Sequence, residues 1–232
     1  VSGSVCEHKG ALAPEAHAPD GAKAVRIESV FMGTDRQLLP ILFGFYAPNA
    51  KEVRDVTANR RKMWDGVSIS ANTKWYDIDP QVSPDVVCDW SSLPDSANSV
   101  DVLVYDPPHL PKAAASPASS PQMVTDYGLS NSCHGDNIAS LHGPFLREAK
   151  RVLRKNGVAF CKLKDFVHNH RYQWTLADFV SQVIDAGMTP CDLIVKRDPC
   201  GGNLKSGRWK KAHHARNCHC WWVVVRNGRC EP

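Results

Sequence analysis

Apolar residues recur in two periods along this chain, and the two periods take turns. Seven short stretches alternate or run apolar in the manner of strands: residues 52–58, 74–79, 84–90, 99–106, 157–166, 191–198 and 219–228. Two stretches repeat at helical spacing. In 143–157, Phe145, Leu146, Ala149, Val152 and Leu153 share a face, and Asn156-Gly157 supplies a stop. In 175–187, Leu176, Phe179, Val180, Val183 and Ile184 point inward, and Gly187 ends the run. Strands alternating with helices predict an α/β fold, a mostly parallel sheet covered on both faces. The last two strands have no helix of adequate length between them, so they are expected to form an antiparallel pair at one edge.

Three segments escape the pattern. Residues 1–22 are rich in Ala, Pro, Gly and charge, and are expected to be a flexible tail, leaving 23–232 as a single domain. Residues 110–137 make a loop long enough to suggest a functional role. Residues 199–217 link the last two strands and carry Lys205, Arg208, Lys210, Lys211 and Arg216.

Composition changes this picture little. With 232 residues, 43% apolar and 22% charged, the chain suits one globular domain. A net charge of +4 permits an anionic partner without demanding one. Nine cysteines, odd in number and irregularly spaced, several within apolar strands, are read as reduced and mostly buried. With no leader-like start and no run long enough to span a bilayer, the expectation is a cytoplasmic protein without a membrane partner. His213, His214, Cys218, His219 and Cys220 cluster after Cys200 but form no matched ligand pairs, so no metal is assigned.

A parallel sheet ending in an antiparallel pair resembles the layout of Rossmann-like class I methyltransferases, which use S-adenosylmethionine. Ligands of open parallel sheets bind beyond the carboxyl ends of the strands. Four predicted strands reach an acid there: Asp55 (followed by Thr57 and Asn59), Asp77 (with Asp79 as a rival), Asp89 and Asp106. A carboxylate at the second strand tip can accept from ribose hydroxyls, which suits Asp77 or Asp79. One after the third can accept from an adenine amino group, which suits Asp89. Each could also serve as a turn former. The first loop, "DVTANRRKMWDG", lacks the glycines usual in the family. The proposed ligand has no phosphate, and Arg60, Arg61 or Lys62 could pair with its carboxylate.

The stretch "DPPH" follows the fourth strand. Asp106-Pro107-Pro108-His109 resembles the Asp-Pro-Pro-aromatic motif of methyltransferases acting on exocyclic amino groups of bases. Such a nitrogen is a poor nucleophile because its lone pair is delocalised into the ring. The Asp106 carboxylate and the Pro107 carbonyl can each accept one N–H, and the prolines hold them preorganised. His109 stands where an aromatic ring is usual and could still stack on a base. From Val25 to Cys230 the chain is similar to small DNA-methylase-like proteins of bacteria and phages, on "YDIDP", "DVLVYDPPHLP", "VLRKNGVAFCKLKDF" and "HCWWVV" among others. The resemblance implies N-methylation of a base, most readily adenine N6 in DNA; RNA is an alternative substrate, and a catalytically silent nucleic-acid-binding subunit is an alternative role. Lys164, His168, Arg171 and Tyr172 after the fifth strand, with Lys210 and Lys211, are the expected substrate contacts. Oligomeric state is not legible.

Overall fold

The computed structural model describes residues 26–109, 139–168, 170–197, 214–215 and 217–230. Residues 1–22, the segment 110–137, and most of 199–217 with Lys210 and Lys211 lie outside the described residues.

All seven expected strands are present, joined by an eighth in the main sheet. In chain order they are β2 (Glu52–Asp55), β3 (Asn72–Asp77), β4 (Val86–Val87), β5 (Val100–Tyr105), β6 (Leu153–Leu163), β9 (Thr189–Arg197) and β10 (His219–Arg226). The addition is β1 (Val30–Met32), which pairs with β9 at the far edge. The spatial order is β1-β9-β10-β6-β5-β2-β3-β4. Only β10 runs antiparallel to its neighbours β6 and β9. A small hairpin, β7 (Phe166–His168) with β8 (Arg171–Gln173), follows β6.

Helices cover both faces. Helix α1 (Asp35–Tyr46) packs Leu38, Leu39, Leu42 and Phe43 against Val53, Val104, Phe160 and Trp222. Helices α2 (Ala139–Val152) and α3 (Thr175–Asp185) bury Phe145, Leu146, Phe179 and Val183 against Leu103, Tyr105 and Cys161. Tyr105 stacks on Phe145 with centroids 3.8 Å apart. Two apolar faces on one sheet are what near-continuous Val/Leu/Phe strands require.

Three expectations need correction. Ile184, expected on the inward face of α3, is 60% exposed, while Phe179 and Val183 are the apolar residues the helix buries fully. The second helix stops at Val152, not at Asn156-Gly157, and those residues already belong to β6. Its cap is tertiary: the Asn227 amide donates to the Leu153 and Lys150 carbonyls (2.7 and 3.2 Å). The reading of every cysteine as reduced fails at Cys191 and Cys230, which form a disulfide 39 residues apart. The reason is spatial: the chain after β10 returns beside the start of β9, and their Cα atoms stand 5.7 Å apart. Among the described residues no helix is long and apolar enough to cross a membrane.

Candidate active site

The carboxyl ends of the parallel strands open into one cavity of about 1340 Å³. Its wall runs from Asp35 and Lys196 on one side, past Asp106 and Lys162, to Asp77 and Asp79 on the other. Thr57, Asn59, Pro108 and Trp90 also line it.

The loop after β2 bends without glycine because Asn59 and Arg61 take left-handed backbone angles, φ 44° and 56°. Side chains hold it there. The Asn59 N–H donates to Asp77 Oδ2 at 2.7 Å. The Arg61 guanidinium lies over Trp75 at 4.5 Å and donates to the Ser83 carbonyl. Arg61 is thus committed to the fold of the loop.

The four strand-end acids part company here. Asp55 is fully buried and does not line the cavity. Its carboxyl accepts from the Thr57 N–H (3.0 Å), the Thr57 hydroxyl (3.3 Å) and the Trp64 indole N–H (2.6 Å). Burial pushes its pKa up to about 7, against the pull of those donors. Asp89 accepts the Ser91 N–H at 2.7 Å in a turn and is also absent from the wall. The next residue, Trp90, takes the place on the wall. Asp77 accepts one backbone N–H on each oxygen, from Asn59 and Asp79, yet remains on the wall. Its carboxyl is raised above the usual range, chiefly by burial. Asp79 caps the short turn Pro80–Val82 through the Gln81 N–H and lines the same side.

Asp106 follows β5 directly, with buried Pro107 and half-buried Pro108 behind it. Its backbone N–H donates to the Thr57 hydroxyl at 2.7 Å, tying the two loops together. Oδ2 accepts from Lys162 Nζ at 2.9 Å, and Oδ1 lies 3.1 Å from His109 Nε2. Burial alone raises such a carboxyl, but the Lys162 ammonium and the His109 contact outweigh it and hold Asp106 well below the usual carboxylate range. Lys162 is shared: Asp35 Oδ2 lies 3.1 Å from its ammonium, and Asp35 Oδ1 accepts from Lys196 (3.1 Å) and the Trp222 indole (3.1 Å).

The expected substrate contacts are less gathered. Lys164, Arg171 and Tyr172 follow β6 but do not line the cavity. Tyr172 donates to Asp165 at 3.4 Å, and Arg171 is exposed. The side chain of His168 lies outside the described residues. The structure does join the two predicted substrate stretches: Asn217 donates to the Asp165 carbonyl, and His214 Nε2 lies 3.1 Å from the His170 carbonyl.

Asp35, Lys162 and Lys196 were not expected at this site. Their signals existed. "TDRQLLPILFGFY" carries a helix start, in which Gln37 accepts the Thr34 N–H at 2.9 Å, followed by apolar i, i+3, i+4 spacing. Lys162 stands between Cys161 and Leu163, and Lys196 follows the apolar run 193–195; a lysine buried in such a strand needs a counter-charge.

No protein-family model and no curated protein matches the chain. Among solved structures the chain is similar to the 1,6-didemethyltoxoflavin-N1-methyltransferase of Burkholderia thailandensis, solved with 1,6-didemethyltoxoflavin and S-adenosylhomocysteine bound. Identity is 15% and the TM-score 0.52, over 84% of this chain and 78% of that one. It is also similar to a SAM-dependent methyltransferase of Methanosarcina mazei, at 13% identity and TM-score 0.50, over 81% of this chain and 96% of that one. The fold is therefore the Rossmann-like fold of class I methyltransferases, with a mostly parallel sheet and a single antiparallel strand, β10.

Proposed function

We propose that the chain is an S-adenosylmethionine-dependent N-methyltransferase whose substrate is an exocyclic amino group of a nucleic-acid base, with adenine N6 in DNA as the first choice. The observation that carries the reading is Asp106: a proline-backed carboxylate at the β5 tip, on the wall of the cavity that also holds Asp77 and Asp79.

The wall suits the cofactor. A half-buried carboxylate at the β3 tip is the group a ribose diol needs, and Asp77 keeps that place while its loop is folded around it. Trp90 offers an apolar surface for adenine, and Asn59 and Arg60 line the amino-acid side. When bound, the cofactor supplies an electrophilic methyl on a cationic sulfur, which leaves as a neutral thioether. Asp106 Oδ1 and the Pro107 carbonyl accept the two amine N–H groups and favour a pyramidal nitrogen. The nitrogen gains the methyl carbon and loses one proton, which passes to solvent or to Asp106 after the new bond has formed. His109, now against Oδ1, must move aside for the amine and can then stack on the base.

Support for a nucleic-acid substrate comes from the motif and from the basic composition of 199–217, whose described residues His214 and Asn217 contact His170 and Asp165. A base within a duplex would have to be flipped out. The test is Asp106→Asn, which keeps the shape of the side chain and one acceptor. Wild-type protein is incubated with isotopically labelled cofactor and separate DNA and RNA pools, and nucleosides are resolved by mass spectrometry. The expected result is N6-methyladenine from DNA and a loss of at least 100-fold in the variant, assayed at a temperature where circular dichroism shows both proteins folded. Label only in RNA, or only in the protein, removes the DNA assignment; equal label with both proteins removes Asp106 from the mechanism.

A further inference from the structure

Asp106 belongs to a row in which basic and acidic side chains alternate at the carboxyl ends of the strands. The order is His109, Asp106, Lys162, Asp35, Lys196, with steps of 3.1, 2.9, 3.1 and 3.1 Å. Loop, β6, α1 and β9 each contribute, so the row is held by four separate parts of the chain. Lys162 and Lys196 side chains are 16% and 3% exposed, and Asp106 and Asp35 are each 18% exposed. A buried cation with one partner removed costs several kcal/mol, so such rows persist only when every member is matched.

The two Asp106 oxygens differ. Oδ2 faces Lys162, which is anchored from behind by Asp35 at the first turn of α1. Oδ1 faces the half-buried His109, and of the Asp-Pro-Pro-His stretch it is Asp106 and Pro108 that line the cavity. We propose that Lys162 is a positioning residue: it holds Asp106 ionised and keeps Oδ2 occupied, so that Oδ1 alone addresses the substrate amine. This rests on the methyltransfer reading for its consequence, but not for its chemistry. Its consequence is that Asp106 orients the amine as an N–H acceptor and does not remove a proton before transfer.

The groups that bear on Asp106 come from every neighbouring element. They are Lys162 on β6, Asp35 on α1, His109 on its own loop, Lys196 on β9, Cys220 on β10 and Asp55 on β2. Without the Lys162 charge, Asp106 keeps the Asp35 and Asp55 carboxyls as neighbours, while the remaining lysine of the row, Lys196, sits beyond Asp35. Two carboxylates sharing a low-dielectric site hold a proton between them. Asp106 would then titrate within the working range.

Isotope-edited infrared spectroscopy with 13C-aspartate tests this without activity, the Asp106 band being the one missing from Asp106→Asn. The wild-type band is expected to stay in the carboxylate position from pH 5 to 8. In Lys162→Met it is expected to shift to the protonated position on going from pH 8 to 5. Lys162→Gln, a milder change, gives the same shift if the methionine variant does not fold, and Lys162→Arg restores the wild-type band. A wild-type band that titrates between pH 5 and 8 overturns the proposal, and so does a band that stays ionised in a folded neutral variant. In the methylation assay the wild-type rate is expected to be flat over pH 6 to 8, and Lys162→Met to lose at least tenfold on going from pH 8 to 6. S-adenosylhomocysteine affinity should stay within threefold. If no pool accepts methyl groups, the methyltransfer reading fails while the infrared result still decides the role of Lys162.

Discussion

Asp55 sits at the β2 tip, where the fold invites a ligand contact, yet its carboxyl is consumed inside the loop. This has a measurable price in stability. The ordinary value of 3.8 is pushed up to about 7 by burial. In the folded protein the neutral form is therefore favoured, and between those values the native state binds more protons than the unfolded chain. Stability contributed by the neutral carboxyl is complete below pH 4 and is lost as pH rises to about 7. The interval converts to roughly 4 kcal/mol at 1.36 kcal/mol per pKa unit. Asp55→Asn removes the titration. It also turns an amide N–H2 toward one of two donors, Thr57 N or Trp64 Nε1, and an unpaired buried donor costs about 1–3 kcal/mol. At pH 4 the variant should be the less stable by that amount; by pH 8 the two should be level or reversed. Urea unfolding of both proteins at half-unit intervals from pH 4 to 8 measures the difference, and groups common to both cancel. Curves that run parallel across the range would refute the argument and return Asp55 to the ligand-facing set.

Asp77→Ala should weaken S-adenosylhomocysteine binding by about 100-fold in isothermal titration. Charge-assisted hydrogen bonds are worth about 1.5–3 kcal/mol each, and a loss near 3 kcal/mol corresponds to that factor; affinity within threefold of wild type counts against the assigned wall. Gly228 holds a φ of 154°, and a Cβ there would strike the Asn156 side chain. Gly228→Ala should therefore lower the unfolding free energy by about 1–3 kcal/mol in denaturant titration, and an unchanged midpoint would mean the turn relaxes freely.

The centre of the sheet was readable because β5, the second half of β6 and β10 are buried on both faces. Val100, Val102 and Val104, or Phe160 and Cys161, have no solvent side to interrupt the apolar run. The missing pieces failed for identifiable reasons. β1 is three residues long, and its Val30 and Met32 are more than half exposed, so it carries no burial pattern. Helix α1 was legible in its spacing but was not read, and with it went Asp35. The end of α2 could not have been read locally, because its cap is Asn227, 74 residues beyond the Leu153 carbonyl it holds. Lys162 stood in plain sight between Cys161 and Leu163; its partners, from α1 and the β5 tip, come together only in the folded chain.

The strand-end acids also show why position alone does not assign a ligand contact. All four lie where the topology gathers carboxylates, but each is first claimed by a partner within the protein. Asp55 gives both oxygens to Thr57 and Trp64 and is enclosed. Asp89 turns back on Ser91 while Trp90 takes the wall. Asp77 also binds two backbone N–H groups, but these approach from the Asn59 and Asp79 sides and leave the carboxylate on the cavity. Asp106 spends Oδ2 on Lys162 and keeps Oδ1 toward His109. The loop after β2 needs these anchors because it lacks glycine: two non-glycine residues in left-handed conformations cost about 1–2 kcal/mol each, and the bonds from Asn59 to Asp77 and from Trp64 to Asp55 offset them. A carboxylate that shapes the loop can also serve a ligand only where one side of it stays uncovered, and among the four this holds for Asp77 and Asp106.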